Sequence, residues 1–312
     1  MNLLKLVKSL VPQSAKRWIW KFSASSRLMR QVSPYLPELV CVDVGASYYP
    51  HAKWRVFLES PQTRWIAVEP NKANVGYIKT WAWQCQVSAV TTGLSQHGGP
   101  QTLYVTNVDS GSSLLEPVIA PGLSQRVQNL DYFFPLRTQQ IDTLTLLQVL
   151  ADAHVSAPVF VKLDTQGTEL SILSGAQALL LNRRIVGVEL ESTLLAQPIM
   201  QGAGKFWQAC EYLEGLGFEL LHIKPIYGPS RFGSRNLRSH TYLNECDAVF
   251  AIRPDVAKGL AVEYRVALLG FYASNAFFEE SLSVLDDGEV KAYLKQRGCN
   301  IDKLATTLRA MA

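Results

Sequence analysis

The chain has 312 residues, of which 48% are hydrophobic and 18% are charged, a composition that is typical of a globular protein with a sizeable core and excludes a disordered one. Its formal net charge is +4, but seven of the 30 Lys and Arg residues fall in residues 1–37, which contain no acid, so 23 basic and 26 acidic residues remain in the rest of the chain. This balance is not that of a basic nucleic-acid-binding domain, and we expect no nucleic-acid partner.

Residues 1–37 form a basic, amphipathic N-terminal segment. Leu3, Leu6 and Leu10 share one helical face, and Lys5 and Lys8 fall elsewhere. A segment of this kind can lie in a membrane interface, where apolar burial and anionic lipid hold it. The alternatives are a helix packed over the following domain and a transit peptide, and the sequence leaves all three open.

The first strongly patterned stretch runs from residue 39 to residue 70. The apolar run over residues 39–44, which carries one acid, Asp43, predicts a buried parallel strand that breaks at Gly45. Residues 65–68 predict a second strand that ends at Glu69. A strand, a small-residue turn and a second strand with a terminal acid form half of a nucleotide-binding unit, in which the acid binds ribose hydroxyls.

The turn after the first strand distinguishes two classes of ligand. A dinucleotide fingerprint needs three glycines, whereas Gly45 stands alone before Ala46 and Ser47. S-adenosylmethionine carries no phosphate and needs one glycine and one acid, so the spacing favours it over a nicotinamide cofactor. A strand end that binds no ligand is the structural alternative.

Helices and strands alternate along the rest of the chain. Asn71 predicts the start of a helix that runs to about residue 83. Further elements are predicted as strands at residues 85–92, 102–106, 157–163, 185–190, 218–223 and 247–252, helices at 168–181 and 202–217, a strand from 139 that passes into a helix near Asp142, and a helical tail over 255–312. This alternation predicts an α/β fold with a largely parallel, doubly wound sheet.

A second informative stretch covers residues 160–180. Lys162 and Asp164 are two apart on a predicted strand and therefore share one face. Gly167 turns the chain, and Glu169 opens the next helix, where an acid interacts favourably with the helix dipole. Lysine is unusual in a buried parallel strand, which singles out this turn as a candidate site.

Together with DVGAS, VEP, GSSLLEP, VELE and GFELL, the stretch FVKLDTQGTEL resembles the FkbM family of S-adenosylmethionine-dependent methyltransferases over about residues 39–252. The resemblance implies the class I, Rossmann-like methyltransferase fold with seven strands, the last of them antiparallel. It also implies methyl transfer to oxygen, commonly on sugars or other polyhydroxylated metabolites. The cofactor contacts that it implies are Asp43, Gly45, Ala46, Ser47, Glu69, Ser95, Ser112 and Ser113.

Three positions depart from the family pattern. Ser47 replaces a frequent asparagine, and Thr165 with Gln166 replaces a common small apolar residue and a glutamate. Because the last two fall inside the hallmark turn, a non-catalytic binding or scaffold protein with the same fold is the alternative to an enzyme.

Methyl transfer to an alcohol requires a base near the methyl group. Asp164 and Glu191 each end a predicted strand at the edge where ligands bind, so they are the predicted catalytic carboxylates, with Lys162 holding Asp164 ionised. The structural alternatives are a turn cap for Asp164, a surface acid for Glu191 and a buried ion pair for Lys162. His51 and His240 are rival bases, and the absence of an octahedral ligand set predicts no metal.

Residues 226–246 are predicted to form an irregular loop. The loop carries Arg231, Arg235, Arg238 and His240, which are the predicted substrate-binding residues. Arginines near the ligand edge can bind a phosphate or carboxylate of the acceptor. A solvated loop without ligand contacts is the alternative.

The five cysteines are widely spaced and form no C-x-x-C pair, which favours a reducing compartment. No apolar run reaches the about 18 residues of a membrane span, so we expect a cytoplasmic protein with peripheral membrane contact through residues 1–37.

The predicted organisation is an N-terminal segment over residues 1–37, a methyltransferase domain over 38–253 and a helical tail over 254–312. The predicted activity is S-adenosylmethionine-dependent O-methylation of a hydroxyl on a glycan or related polyhydroxylated metabolite. We expect the acceptor to be a small molecule or a glycan, anionic or lipid-linked.

Overall fold

A computed structural model describes residues 24–47, 50, 54–80, 83–127, 129–228 and 242–312. Its strands are β1 (Leu39–Val44), β2 (Thr63–Val68), β3 (Gln86–Val90), β4 (Gly93–Leu94), β5 (Gly99–Thr106), β6 (Pro135–Leu144), β7 (Val159–Leu163), β8 (Ile185–Thr193), β9 (Phe218–Tyr227) and β10 (Leu243–Ile252). Its helices are α1 (Ala24–Val32), α2 (Arg55–Leu58), α3 (Lys72–Lys79), α4 (Leu146–Asp152), α5 (Glu169–Gly175), α6 (Gln177–Leu181), α7 (Phe206–Gly215), α8 (Pro254–Ala257), α9 (Val262–Ser274), α10 (Phe278–Leu285), α11 (Gly288–Gln296) and α12 (Ile301–Arg309).

The main sheet has seven strands in the order β3-β2-β1-β7-β8-β10-β9. The pairs from β3 to β8 are parallel, whereas β10 is antiparallel to both β8 and β9. The strand order reverses beside β1, and ligands of open α/β sheets bind at such a point, outside the carboxyl ends of the strands. The predicted doubly wound fold with an antiparallel last strand is confirmed.

A second sheet has the order β4-β6-β5. Strands were predicted inside β5 and β6, but β4 and the pairing of these strands into a separate sheet were not. We predicted that the strand from residue 139 would pass into a helix near Asp142, but β6 runs on to Leu144 because it pairs along its length with β5. The helix α4 starts only at Leu146, where the side chain of Thr145 accepts a hydrogen bond from the backbone N–H of Gln148. The predicted helix over 168–181 is divided at Ala176 into α5 and α6.

The core of the sheet is built from strands that are buried on both faces. Every residue of β1 and β7 is buried, as the apolar runs predict. On β8, Gly187 leaves space for two aromatic rings, since an added Cβ would lie 2.8 Å from Phe271 and 2.9 Å from Phe160. Those two rings stack with their centroids 4.7 Å apart. The helix α9, which carries Phe271, is therefore an integral part of the core.

The packed core also includes part of the N-terminal segment. In α1, Leu28, Met29 and Val32 are at most 1% exposed, and the helix packs against α9 and α12. Residues 24–32 thus belong to the body of the domain. Within the described ranges no helix is long and apolar enough to cross a membrane.

Candidate functional site

A cleft opens at the carboxyl ends of β1, β2 and β7, which we call the main cleft. Its walls are partly apolar, with Val68, Leu94, Leu103 and Leu114, and partly polar. The polar lining consists of Ser47, Glu69, Asn71, Thr92, Asp109, Ser110, Ser112, Ser113, Asp164, Thr165 and Thr168. The mixture suits a ligand with a flat apolar group and several hydrogen-bonding groups.

Gly45 allows the turns after β1 and β7 to touch. Its φ of +72° is unfavourable for other residues, and an added Cβ would lie 1.9 Å from the carbonyl oxygen of Asp164. The backbone N–H groups of Gly45 and Ala46 donate to the carbonyl oxygen of Val68 at 3.0 and 3.3 Å. The turn after β1 is therefore attached to its neighbours on both sides, which leaves the main cleft rigid at this end.

Glu69 ends β2 and lies in the main cleft with 6% of its surface exposed. The backbone N–H groups of Ser47 and Asn71 each donate to a different oxygen of its carboxylate, both at 2.8 Å. Burial raises the pKa of Glu69, and these hydrogen bonds oppose the shift. The carboxylate is thus oriented in advance, and its remaining lone pairs can accept hydrogen bonds from a ribose diol.

Asp109 faces the main cleft from a short 3₁₀ turn, Asp109–Gly111. The side-chain amides of Asn71 and Asn74 hold its carboxylate at 3.0 and 2.6 Å. Sequence reasoning did not select Asp109, because nothing in the pattern brings the 109–111 turn to the start of α3. Its position makes it a further acceptor for the polar part of a bound nucleoside.

Lys162 is the centre of a buried charge network. Its Nζ lies 3.5 Å from Asp43 Oδ1 and 3.1 Å from Asp164 Oδ2. Glu189 lies opposite Lys162 in the register of β7 and β8. Its carboxylate accepts a hydrogen bond from the indole N–H of Trp54 at 2.5 Å. Burial favours the neutral amine, but attraction from Asp164, Asp43 and Glu189 raises the pKa of Lys162 above its ordinary value. The lysine therefore stays charged and holds Asp164 in place.

The turn after β7 is held by Glu169. This carboxylate accepts hydrogen bonds from the backbone N–H of Thr165 at 2.7 Å and of Gly167 at 2.9 Å. Gly167 has a φ of +109°, and a Cβ there would lie 2.8 Å from the Cβ of Ala203. Gly167 and Glu169 thus each have a structural role in this turn, and Glu169 acts as its anchor.

On the other side of this turn lies a second cavity. It is lined by Phe133, Gln166, Gly167, Glu169, Glu191, Ser192, Thr193, Pro198, Ile199, Met200, Ala203 and Glu245. Burial, followed by repulsion from Asp164, raises the pKa of Glu191 well above its ordinary range. Burial and the charges of Asp164, Glu169 and Asp247 raise the pKa of Glu245 to about 7. Both carboxyls therefore hold protons at a higher pH than ordinary glutamates do.

The pKa of Asp164 is shifted in the opposite direction, although Asp164 belongs to the same group of acids. Its side chain is 40% exposed and faces the main cleft. Burial disfavours its charge, but attraction to Lys162 and hydrogen bonds from Glu191, Lys162 and Gln166 lower the pKa of Asp164 to about 2. When the Asp164–Glu191 pair holds one proton, that proton resides on Glu191. Once this proton is lost, Glu191 is the stronger base of the two carboxylates.

Comparison with known families identifies the chain. Residues 43–220, more than half of the sequence, match the family model described as "Methyltransferase FkbM domain". The chain belongs to the FkbM methyltransferase family. Its cofactor is S-adenosylmethionine, and the donor set of the main cleft fits this molecule, with Glu69 for the ribose and apolar side chains for the adenine. A comparison with curated proteins finds no match.

Solved methyltransferase structures share a weak similarity with the chain. Precorrin-6y C5,15-methyltransferase from Geobacter metallireducens GS-15 is 14% identical, with 73% of this chain and 88% of that chain covered and a TM-score of 0.31. Magnesium protoporphyrin IX methyltransferase from Synechocystis PCC 6803 is 10% identical, with 78% and 85% covered and a TM-score of 0.34. A TehB-like methyltransferase from Corynebacterium glutamicum is 12% identical, with 77% and 96% covered and a TM-score of 0.31. The assignment depends on the family match.

The predicted cofactor-binding residues of this methyltransferase do not all line the main cleft. Gly45, Ser47, Glu69, Ser112 and Ser113 line the main cleft. Asp43 and Ala46 lie behind its wall, and Ser95 is outside the lining, where its hydroxyl contacts Thr143 Oγ1 at 2.7 Å and accepts a hydrogen bond from the Gly98 N–H at 3.0 Å. Ser95 therefore stabilises the turn between β4 and β5.

The remaining predicted residues divide between the described and undescribed parts of the chain. The side-chain amide of Gln166 links Asp164 and Glu191, the two predicted catalytic carboxylates. Arg231, Arg235, Arg238, His240 and His51 lie outside the described residues. In the ranges that the structure describes, no three His, Cys, Asp or Glu side chains are grouped so as to hold a metal ion.

Glu245 is the main residue that sequence reasoning missed. We predicted that the last strand would start at residue 247, whereas β10 starts at Leu243 and carries Glu245 into the second cavity. Buried Asn244 and Cys246 alternate with half-buried Glu245 and Asp247 in β10, but this alternation becomes visible only in the structure.

Proposed function

We propose that this methyltransferase transfers its methyl group to a hydroxyl oxygen of a glycan or a related polyhydroxylated acceptor. The observation that supports the proposal is the chemistry of the second cavity, which adjoins the main cleft across the turn after β7. Glu191, Glu245 and Thr193 offer oxygen acceptors, and the described lining includes no Lys, Arg or His. Such a surface suits a neutral ligand with several hydroxyl donors.

The second cavity also has an apolar wall, which consists of Phe133, Pro198, Ile199 and Met200. A sugar ring has C–H groups on its faces and hydroxyls at its edge, so it can contact this wall while its hydroxyls donate to the carboxylates. A purely apolar acceptor would leave the remaining lone pairs of Glu191 and Glu245 without hydrogen-bond donors, which costs free energy.

The chain supplies positioning and proton removal. Bound S-adenosylmethionine supplies an electrophilic methyl group on a sulfonium. Lys162 and Glu169 fix the turn that separates the two binding spaces, and Asp164 and Glu191 lie on its two sides. A hydroxyl held in the second cavity can transfer its proton to one of these carboxylates as the new bond forms. We further propose that Arg231, Arg235 and Arg238 contact a phosphate or carboxylate when the acceptor carries one.

The test is a methyl-transfer experiment with isotopically labelled S-adenosylmethionine. Full-length protein is incubated with the labelled cofactor and an extract depleted of proteins, and labelled products are identified by mass spectrometry and fragmentation. We expect a methyl ether on a hydroxylated product, with formation reduced roughly 100-fold in Glu191→Gln. Glu211→Gln, an exposed change on α7, is the matched control and should leave the rate unchanged.

Label on nitrogen, carbon or sulfur would contradict the proposal. Cofactor binding without any labelled product in extracts would favour a binding protein with this fold.

A further inference from the structure

We propose that Gln166 is a positioning residue that assigns different roles to Asp164 and Glu191, so that Asp164 remains an anion beside the cofactor and Glu191 accepts the proton of the acceptor hydroxyl. This inference rests on the proposed function and assigns separate roles in that reaction to two residues. It is based on the position of one side chain between the main cleft and the second cavity.

The turn after β7 separates the main cleft from the second cavity, and its residues face opposite sides. Asp164 and Thr165 line the main cleft, whereas Gln166 and Gly167 line the second cavity. The two linings have no residue in common within the described ranges. Methyl transfer requires direct contact between the reacting atoms, so the acceptor hydroxyl must reach the cofactor around the edge of this wall.

The side-chain amide of Gln166 connects the two sides. Its Nε2 lies 3.3 Å from Asp164 Oδ1 and 2.8 Å from Glu191 Oε2. Two acceptors on one side of the amide determine that the NH₂ group, and not the oxygen, faces them. Gln166 holds this position with a φ of +57°, a conformation that is unfavourable for a residue with a side chain. The strained backbone of Gln166 therefore lies at the point where the two carboxylates meet.

The hydrogen bonds leave Asp164 with little basicity. One of its oxygens contacts Lys162 Nζ at 3.1 Å, and the other accepts from Gln166. A carboxylate that is stabilised on both oxygens is a weak base, although its charge can face a cationic ligand in the main cleft. The low pKa of Asp164, about 2, agrees with this role.

Glu191 is the better proton acceptor because it faces the second cavity among other acids. The groups around it are Asp164 after β7, Glu169 at the start of α5, and Glu245 and Asp247 on β10, of which Asp247 pairs with Lys224 at 2.6 Å. Burial and the charges of Asp164, Glu245 and Glu169 raise the pKa of Glu191. The hydrogen bond from Gln166 favours the charged form and so opposes this shift. Glu191 acts as the base after it has lost its own proton. In the transfer the acceptor oxygen gains the methyl carbon, its proton goes to Glu191, and the electron pair of the broken carbon–sulfur bond stays on sulfur.

The proposal is tested by infrared pH titration of the full-length protein saturated with S-adenosylhomocysteine. The carboxyl band of Glu191 is assigned as the band that is lost in Glu191→Gln. In Gln166→Met, which keeps the side-chain length, we expect its titration midpoint to move up by about one pH unit, because a hydrogen bond to the charged form is lost. The control Gln177→Met, on exposed α6 surface, should titrate as the wild type does.

Gln166→Glu provides a second variant of nearly the same size. It replaces the donor by another acid, so the Glu191 midpoint should rise further than in Gln166→Met. Calorimetry with S-adenosylmethionine confirms that both variants are folded. An unchanged Glu191 midpoint in both folded variants would overturn the proposal.

Failure of the two proposals can be distinguished. If the wild type forms a methyl ether but the Glu191 midpoint is the same in all variants, O-methylation stands and the role of Gln166 is wrong. If the midpoint moves but labelled transfer gives no methyl ether, Gln166 still controls Glu191, and the proposed reaction is wrong.

Discussion

Glu69 has two roles that substitutions can separate. Its carboxylate binds the backbone N–H groups of Ser47 and Asn71, and it also faces the main cleft. In Glu69→Gln one carbonyl oxygen remains for the backbone but the negative charge is lost.

We expect S-adenosylmethionine affinity to fall at least tenfold in Glu69→Gln and further in Glu69→Ala, since each hydrogen bond to a charged group contributes about 1.5–3 kcal/mol. Titration calorimetry of folded variants measures this effect, with Glu116→Gln as an exposed control. Equal affinity in wild type and Glu69→Gln would show that the carboxylate does not contact the cofactor.

Glu245 gives a pH-dependent stability prediction. Its pKa is raised from 4.5 to about 7 by burial and neighbouring acids, so the folded protein binds this proton more tightly than the unfolded chain does. A raised carboxyl pKa leaves stability unaffected below the unfolded pKa and lowers it as the pH rises towards 7. The substitution Glu245→Gln removes this pH-dependent loss of stability, because glutamine does not titrate.

We therefore expect Glu245→Gln to melt at a higher temperature than the wild type at pH 8 and at the same temperature at pH 4. Thermal unfolding followed by circular dichroism across this range measures the difference. A constant difference at all pH values would mean that Glu245 titrates normally in the folded protein.

At the scale of elements, the turn between β7 and α5 depends on Gly167. This residue combines a φ of +109° with close approach to Ala203. Gly202 has a φ of +80°, but a Cβ added there would meet no atom within 4 Å. The two glycines are therefore a matched pair, in which Gly202→Ala introduces backbone strain alone and Gly167→Ala introduces strain and overlap.

Gly202→Ala should cost about 1–2 kcal/mol of unfolding free energy, and Gly167→Ala about 3 kcal/mol or more. Urea denaturation of both variants tests the difference. Since Gly167 also orients Glu169 and Gln166, its variant should lose methyl transfer even under conditions where it remains folded. Similar costs for the two substitutions would show that the turn can shift away from Ala203.

At the scale of the whole molecule, the N-terminal segment has two parts. Residues 24–32 form α1, whose Leu28, Met29 and Val32 are buried in the core. Full burial of each such side chain contributes about 1.5–3 kcal/mol, and the whole domain is stabilised by only about 5–15 kcal/mol. A protein that lacks residues 1–37, and with them α1, should be insoluble or unfolded. Its thermal unfolding is compared with that of the full chain and of a variant that lacks only residues 1–23.

The variant without residues 1–23 also tests the predicted membrane contact. This part contains five of the seven basic residues of the N-terminal segment. Each Lys or Arg near an anionic surface contributes about 1 kcal/mol, so we expect the full chain to sediment with phosphatidylserine vesicles at low salt and the shortened protein to stay in solution. Equal sedimentation of the two, or binding that is insensitive to salt, would contradict the prediction.

The sequence by itself determined the main sheet, the ligand edge and three of the central carboxylates. Buried parallel strands read as continuous apolar runs, and β-α alternation brings their carboxyl ends to one edge. Glu69, Asp164 and Glu191 could therefore be placed near one another without knowledge of any contact. Patterns of this kind can be read from the sequence because they depend on residues that are close together along the chain.

Only the tertiary structure decided which partners these carboxylates have. The bridge from Gln166 to Glu191 joins residues 25 apart, the amides that hold Asp109 come from residues 35 and 38 positions earlier, and Glu245 reaches the second cavity through antiparallel pairing with β8. Burial of α9 and α1 likewise depends on packing between opposite ends of the chain. Such contacts are set by strand register and side-chain packing over long separations, so no local pattern in the sequence specifies them.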